Sequence, residues 1–278
     1  MSSTISTLVS QSTIDTREVE MILAHVLACT RAYVIAHGER VLDENEAMLA
    51  RRLIARRATG EPFAYVVGTR EFYGQDFQVT AATLIPRPET ELLVEQALAR
   101  LPEPNRPAGR ARASVLDMGT GSGAIAITLA LARNDIVVTA TDMSVDALQI
   151  ARDNAHRLGA TVEFMNSNWY DALAGRRFDL IVSNPPYVAG GDAHLGRGDL
   201  RFEPKTALTD GSADGLASIR AIIAGAPAHL NAGGWLLFEH GYDQAAAARE
   251  LLLEAGFNNL IFARDLAGIE RVSGGQIR

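Results

Sequence analysis

The sequence lacks several features that would assign a 278-residue chain to a special class. It has one cysteine, Cys29, so the chain can form no internal disulfide and no thiolate cluster for a metal. No stretch approaches the ~20 consecutive apolar residues that span a bilayer, and Met1–Ser12 has neither the basic nor the apolar region of a signal peptide. We therefore expect Cys29 to be a buried helix residue and the protein to be cytoplasmic, without membrane contact.

An excess of positive charge is also missing. The 33 aspartates and glutamates outnumber the 26 lysines and arginines, which gives a net charge of −7. Because sequence-independent affinity for nucleic acids comes from basic residues that neutralise phosphates, direct nucleic-acid binding is disfavoured. A basic cluster at Arg51, Arg52, Arg56 and Arg57 is more typical of a solvated helix face than of a docking site. The sequence shows no cluster of metal ligands, so no metal is expected.

Hydrophobic residues make up 47% of the chain, enough for a sizeable core, and the length suits one large and one small domain. We predict an N-terminal helical domain over residues 1–75, a hairpin connector over residues 76–90 and a larger α/β domain over residues 91–278. We expect the protein to be a monomer.

Helical periodicity marks the N-terminal region. After a possible cap at Asp15, apolar residues recur at helical spacing: Val19, Ile22, Leu23, Val26 and Leu27. Asp43 followed by Glu46 predicts a capping box for a second helix. Its apolar face should carry Met48, Leu49, Leu53 and Ile54. Around Gly74 the composition changes to aromatic and β-branched residues, which predicts a hairpin containing Phe72, Tyr73, Phe77 and Val79.

After a proline-rich stretch at Leu101–Ala113, strand and helix patterns alternate. The predicted strands are Ala113–Asp117, Ile136–Asp142, Val162–Met165, Phe178–Ser183 and Gly234–Glu239. The predicted helices are Ala124–Ala132, Ser144–Leu158, Ser218–Leu230 and Asp243–Ala255. Such βα alternation with apolar strands predicts a parallel sheet covered by helices on both faces.

A glycine-rich loop follows the first of these strands. Asp117 ends the strand, and Gly119, Thr120, Gly121, Ser122 and Gly123 lead into an apolar helix. Glycines let the backbone approach a ligand closely, and a helix start offers free N–H groups. Together with Asp142 at the end of the next strand, the loop also matches the dinucleotide fingerprint, so a nucleoside-type ligand is expected.

The acid before the glycines favours S-adenosylmethionine over a nicotinamide cofactor. Asp117 could accept a hydrogen bond from the ammonium of S-adenosylmethionine, whereas it would repel a pyrophosphate. Trp169, which follows the third strand beside Asn168, lies at the same predicted crevice. From spacing alone it fits an adenine cover and a core residue equally well.

The fourth strand ends in Asn184, Pro185, Pro186 and Tyr187, at the edge where open α/β sheets bind ligands. The nitrogen of a planar NH2 group is a poor nucleophile because its lone pair is delocalised. If the Asn184 side-chain oxygen and the Pro185 carbonyl accepted both N–H protons, the lone pair would be aimed at a methyl donor. Tyr187 would stack on the planar group. The loop therefore predicts methyl transfer to an amide-like or aryl nitrogen.

With these motifs, the chain resembles class I methyltransferases and, more closely, the PrmC/HemK family, which methylates the glutamine of the Gly-Gly-Gln motif in class 1 peptide-chain release factors. The resemblance covers nearly the whole chain, and its most specific stretch is Ile85–Glu91. Further matching segments are Gly60–Pro62, Arg70–Phe72, Arg201–Pro204, Ala207–Leu208 and Glu239–Gly241. Asn168 departs from the pattern, because related sequences often carry an acid there.

The resemblance implies a Rossmann-like methyltransferase domain with a mostly parallel seven-stranded sheet, a small N-terminal helical bundle that grips the release factor, and a β-hairpin connector. It implies that S-adenosylmethionine is converted to S-adenosylhomocysteine. Cofactor contacts are expected from Asp117, residues 119–123, Asp142, Trp169 and Asn184. Glutamine recognition is expected from residues 184–187.

Three other functions are compatible with parts of this pattern. Methylation of adenine N6 or guanine N2 in a nucleic acid would use the same Asn184 loop, although the acidic chain shows no basic channel. A non-catalytic cofactor-binding protein would not need that loop intact, and a nicotinamide oxidoreductase is disfavoured by Asp117. The chain also contains Gly274, Gly275 and Gln276, the tripeptide that the family modifies; chance explains so short a match better than self-methylation does.

Overall fold

The computed structural model describes residues 3–103 and 112–278 and divides the chain into two compact units. One unit contains the chain up to Thr69 together with Arg197–Phe202, and the other contains Arg70–Gly196 with Glu203–Arg278. The predicted proline-rich stretch at Leu101–Ala113 has residues 104–111 outside the described ranges. No helix in those ranges has the length and apolar character that crossing a bilayer requires.

The first unit is helical. Its helices are α1 (Ile5–Gln11), α2 (Thr16–Val26), α3 (Arg31–Ala36), α4 (Glu44–Ala58) and α5 (Phe63–Val67). Asp15 caps α2, and the capping box of Asp43 and Glu46 begins α4, so both predicted helix starts are confirmed. The core of the unit includes Val19 and Leu23 of α2 and Ala47 and Ala50 of α4.

Two predictions for this unit are wrong. Met48 is 64% exposed, because the buried face of α4 is centred on Ala47, Ala50 and Leu53, and Met48 lies one position, about 100° around the helix, from Ala47. Cys29 lies in a bend after α2 and is half-buried rather than buried within a helix.

Two of the four arginines of the basic cluster on α4 form salt bridges within their own unit. Arg56 forms a salt bridge with Glu61 at 2.5 Å, and Arg57 forms one with Glu18 at 2.9 Å. These carboxylates raise the pKa of both guanidinium groups. Arg57 therefore links α4 to α2, and Arg56 links α4 to the segment before α5, on a helix face that the sequence predicts to be solvated.

A hairpin of β1 (Thr69–Phe72) and β2 (Gln75–Gln78) follows, and the predicted boundary at residue 75 lies inside it. Tyr73 and Gly74 form its turn with φ values of 51° and 73°. Asn154 is fully buried, and its side chain pairs with both backbone groups of Gln78 and with the carbonyl of Ser122. This one amide therefore connects the hairpin to the glycine loop.

The second unit is built on a seven-stranded sheet. Its strands are β3 (Ala113–Met118), β4 (Ile136–Asp142), β5 (Val162–Asn166), β6 (Phe178–Ser183), β7 (Leu230–Glu239), β8 (Asn258–Arg264) and β9 (Glu270–Gln276), in the order β5-β4-β3-β6-β7-β9-β8. The first five are parallel, and β9 is antiparallel to both neighbours. This confirms the predicted mostly parallel α/β sheet.

The remaining helices are α6 (Glu91–Leu98), α7 (Ala124–Ala132), α8 (Val145–Leu158), α9 (Lys205–Leu208), α10 (Ala217–His229) and α11 (Ala245–Glu254). Four of them correspond to the helices predicted from residue 124 onward. Two buried apolar clusters contain residues from the sheet and these helices; Leu180 and Val182 belong to one, and Leu116 and Ile181 to the other.

The sequence pattern does not predict the last two strands. Strand β8 shows only intermediate and exposed residues without clear alternation, whereas β9 has a buried centre. Strand β9 holds the Gly274-Gly275-Gln276 tripeptide between β7 and β8. The Gln276 amide nitrogen donates to Gly233, and its oxygen accepts from Asn259. A glutamine held in this way is a poor acceptor for methylation, which favours chance as the origin of the tripeptide.

Candidate active site

A cavity of about 340 Å³ lies at the carboxyl edge of the parallel strands, within the size range of small-ligand sites. The ends of β3, β4, β5 and β6 all contribute to it, as parallel strands in an open α/β sheet should. Its lining includes eight of the predicted site residues: Gly119, Thr120, Gly121, Ser122, Asp142, Trp169, Asn184 and Pro186. The other four predicted residues, Asp117, Gly123, Pro185 and Tyr187, are close to lining residues in the sequence but do not themselves line the cavity.

The glycine loop is fixed to the next strand by its backbone. Both Gly119 and Thr120 donate N–H hydrogen bonds to the carbonyl of Thr141. Gly119 and Gly121 have φ values of 72° and 56°, with open space where a Cβ atom would lie. A side chain at either position would be strained and would project from a loop that lines the cavity.

The third glycine has a different purpose. A Cβ atom on Gly123 would lie 2.6 Å from Ile127 Cδ1 and 3.2 Å from Ala151 Cβ. Gly123 therefore allows α7 and α8 to pack closely while its left-handed φ of 86° begins α7. It shapes the site from behind without lining it.

Asp142, at the end of β4, accepts a hydrogen bond from the glycine loop. Its Oδ2 accepts from the N–H of Gly121 at 2.9 Å, and its Oδ1 accepts from the N–H of Ser144 at 2.8 Å. Burial raises the pKa of Asp142, whereas these backbone hydrogen bonds lower it. Each carboxylate oxygen has a further lone pair, so Asp142 can also accept from a ligand hydroxyl in the cavity.

Asp117 is completely buried and binds the loop from the strand side. Its Oδ2 accepts from Thr120 Oγ1 at 2.7 Å and from the N–H of Ala126 at 3.2 Å. Its Oδ1 has no hydrogen-bond partner within residues 3–103 and 112–278. Its contact with a cofactor ammonium stays a prediction; the observed contacts make it an anchor for the loop.

The burial of Asp117 leads to a prediction about stability and pH. Burial raises the pKa of Asp117 to about 7, against opposing hydrogen bonds from Thr120 and Ala126. Between about pH 4 and pH 7 the folded state then keeps a proton that the unfolded state loses, so this group lowers the free energy of unfolding as the pH rises. We expect Asp117→Asn, which keeps the shape but cannot ionise, to weaken that fall.

Urea unfolding followed by circular dichroism at about pH 5 and about pH 8 would measure the effect. Asp153→Asn on the exposed surface of α8 is the matched control and should leave the pH dependence unchanged. An equal pH dependence in the wild-type protein and in Asp117→Asn would show that Asp117 titrates normally.

Trp169 lies at the cavity, as the sequence predicts, and its contact with an adenine stays a prediction. It lines the cavity and also packs on the apolar core cluster of the sheet. Its backbone is left-handed, with φ at 47°, and Ser167 Oγ donates to its carbonyl at 2.9 Å. Because a bulky residue seldom adopts this conformation, the turn holds the indole at some cost in backbone energy. Asn168 lines the cavity beside it.

The Asn184 loop is fixed by residues that are remote in sequence. Asn184 Nδ2 donates to Thr90 Oγ1 at 3.1 Å, and Thr90 Oγ1 donates to Glu239 Oε2 at 2.7 Å. The Tyr187 hydroxyl donates to Glu239 Oε1 at 2.9 Å. The Tyr187 carbonyl accepts from Gln244 Nε2 at 3.0 Å. One buried carboxylate thus connects both ends of the loop.

Burial raises the pKa of Glu239, while hydrogen bonds from Thr90 and Tyr187 and the charge of Arg271 lower it.

The sequence alone assigns no role to Thr90 or Glu239, although both belong to segments that carry the family resemblance. An acidic residue ending the apolar strand β7 was the available signal. No group of three or more potential metal ligands occurs in the described part of the chain.

Comparison with known proteins agrees with this architecture. Residues 90–198 match the model of the methyltransferase small domain, and residues 3–68 match that of the PrmC N-terminal domain. The release factor glutamine methyltransferase of Bordetella pertussis is 52% identical, covering 94% of each chain. That of Neisseria gonorrhoeae is 51% identical over 93% of this chain and 92% of its own.

A solved structure shares the fold at much lower identity. The 16S rRNA N2 G1207 methyltransferase of T. thermophilus, solved with AdoMet and guanosine, is 21% identical, with a TM-score of 0.54 over 76% of this chain and 50% of its own. At this identity the likeness concerns the fold alone, because one fold can serve different substrates.

Proposed function

The chain belongs to the release factor glutamine methyltransferase family, and from this premise we propose that it transfers a methyl group from S-adenosylmethionine to the side-chain amide nitrogen N5 of the glutamine in the Gly-Gly-Gln motif of class 1 peptide-chain release factors. The observation that carries this proposal is the orientation of Asn184 at the cavity. Because its Nδ2 donates a hydrogen bond to Thr90 Oγ1, its Oδ1 can accept a hydrogen bond from a substrate N–H.

The residues of the cavity fit the proposed cofactor. Gly119 and Gly121 leave open space beside a loop with left-handed glycines, and Asp142 has spare acceptor capacity for ribose hydroxyls. Trp169 offers an aromatic surface for the adenine. Asp117 supports the loop, and its buried Oδ1 has no hydrogen-bond partner in the part of the chain that the structure describes. When bound, S-adenosylmethionine supplies an electrophilic methyl group on a cationic sulfonium.

The chain's own contribution to the reaction is to position the amide. Asn184 Oδ1 and the Pro185 carbonyl accept the two N–H protons, which reduces delocalisation of the nitrogen lone pair and aims it. Tyr187, whose hydroxyl is tied to Glu239, restricts the plane of the amide. No strong base is needed, because the nitrogen becomes more acidic as it is alkylated and can lose its proton to water.

The helical unit, residues 1–75 in the sequence prediction, would grip the release factor, with residues 76–90 as connector and residues 91–278 as the catalytic domain. The protein would act in the cytoplasm as a monomer, without direct contact to nucleic acid. Methylation of a nucleic-acid base through the same loop is the competing function, and one experiment can decide between them.

That experiment measures transfer from methyl-labelled S-adenosylmethionine to a purified class 1 release factor and to its Gln→Ala variant at the tripeptide. Duplex DNA and ribosomal RNA serve as parallel acceptors. We expect label on the wild-type factor alone. Label on either nucleic acid would replace the proposed substrate by a base, and absence of label from every acceptor would refute catalysis.

A further inference from the structure

We propose that Glu239, acting through Thr90, is the positioning residue that fixes which end of the Asn184 amide faces the substrate. This inference rests on the proposed function, because it concerns recognition of the glutamine amide. It assigns a task to two buried residues to which the mechanism above gives no role: Glu239, and Thr90, which also lines the cavity. Glu239 is 1% exposed and Thr90 is 4% exposed.

The argument starts from the symmetry of an asparagine side chain. Its amide group has nearly the same shape after a 180° rotation, which exchanges the acceptor oxygen for a donor NH2 group. Only the first orientation can accept a proton from a substrate amide. The flipped orientation would direct N–H protons at the N–H protons of the substrate, so the site needs a device that excludes it.

The hydrogen-bond donors and acceptors around Thr90 show how the flipped orientation of the Asn184 amide is excluded. Both hydroxyls that contact Glu239 donate to it, Thr90 Oγ1 to Oε2 and the Tyr187 hydroxyl to Oε1. Thr90 has a single hydroxyl proton and gives it to Glu239 at 2.7 Å. Toward Asn184 it can then only accept, and the group facing it must be the NH2 of Asn184 at 3.1 Å.

Glu239 acts on both ends of the loop at once. Its second oxygen accepts from the Tyr187 hydroxyl, while the Tyr187 carbonyl is held by Gln244. The pair of hydrogen bonds sets the Asn184 amide and the Tyr187 ring relative to one carboxylate. Since Glu239 ends strand β7 inside the sheet, the reference point for both groups is rigid.

The decisive variant is Thr90→Val, which keeps the shape but has no hydroxyl. We expect a decrease in kcat of about 10- to 100-fold, equivalent to losing a hydrogen bond of about 1.4–2.7 kcal/mol, with little change in cofactor affinity. Thr90→Ser keeps the hydroxyl and should recover most of the wild-type kcat. Thr128→Val is the matched control, because Thr128 is buried on α7 and its hydroxyl has no hydrogen-bond partner in the described ranges.

A second measurement needs no substrate. Hydrogen exchange of the Asn184 side-chain amide, followed by NMR, should be slow in the wild-type protein and clearly faster in Thr90→Val and in Glu239→Gln. A Thr90→Val protein that is folded, retains kcat within about twofold and shows wild-type exchange would overturn the inference. So would a Thr90→Ser protein as slow as Thr90→Val, because the loss would then come from shape.

The wild-type enzyme in the same assay separates this inference from the proposed function. If the wild-type protein labels no release factor, the proposed function fails, while the exchange measurement still decides whether Glu239 and Thr90 orient Asn184. If the wild-type protein labels the factor and the Thr90→Val protein does so equally well with wild-type amide exchange, only the inference fails.

Discussion

Replacing Asn184 by alanine should reduce kcat for methyl transfer by about 10³-fold while leaving the dissociation constant of the cofactor within a few fold. The side chain lines the cavity and its Nδ2 donates to Thr90 Oγ1, so the group lost toward the substrate is the Oδ1 acceptor. Removing one preorganised polar group at a reacting centre typically costs about 10²–10³ in rate. Single-turnover transfer to the release factor, with calorimetry for the cofactor, would measure both quantities.

The control for this variant is Asn134→Ala. Asn134 is exposed between α7 and β4, at the amino end of that strand and therefore at the edge of the sheet opposite the cavity. It should retain wild-type transfer. If Asn184→Ala lost cofactor affinity in proportion to its activity, the side chain would serve the cofactor and not the substrate nitrogen.

The second large effect is expected for Asp142→Ala, which should weaken cofactor binding by about 10- to 100-fold, or about 1.4–2.7 kcal/mol. Two losses add together. The ribose would lose charge-assisted hydrogen bonds, and the backbone N–H groups of Gly121 and Ser144 would lose the carboxylate that anchors them. Calorimetric titration with S-adenosylhomocysteine would give the dissociation constant without turnover.

Asp153→Ala provides the comparison for this titration. It removes an exposed carboxylate from α8, the helix that follows Asp142, and preserves the backbone contacts of the loop. Its affinity for the product should equal that of the wild-type protein. Unchanged affinity in Asp142→Ala itself would exclude Asp142 from the cofactor site.

The parts of the site that the sequence predicted are those that a strand end positions by itself. Gly119 follows β3, Asp142 ends β4, and Asn184 follows β6. The parallel register of these strands brings their carboxyl ends to one edge. Hydrophobic patterning is enough to find such strands, because both faces of a parallel sheet are buried. Strand β8, with its mixed exposure, gave no comparable signal.

The sequence could not assign the contacts that join distant segments. Thr90 and Asn184 are 94 residues apart, and Thr90 and Glu239 are 149 residues apart. Nothing in the local pattern at any of the three indicates the other two. Likewise, the ligand contact that the sequence predicts for Asp117 stays a prediction, and only the structure shows that Asp117 is completely buried and accepts hydrogen bonds from Thr120 and Ala126.

The α/β class of the fold, the parallel strands, the glycine-rich loop and the Asn184 loop at a strand end could therefore all be predicted from the sequence alone. These are local properties of periodicity, glycine spacing and strand ends. Which side chains face the cavity, and which way the Asn184 amide is turned, follow from the packing of segments that are distant in the sequence. That orientation depends on the donor and acceptor count of a buried network, and the network exists only when β6, β7 and the segment before α6 are packed together.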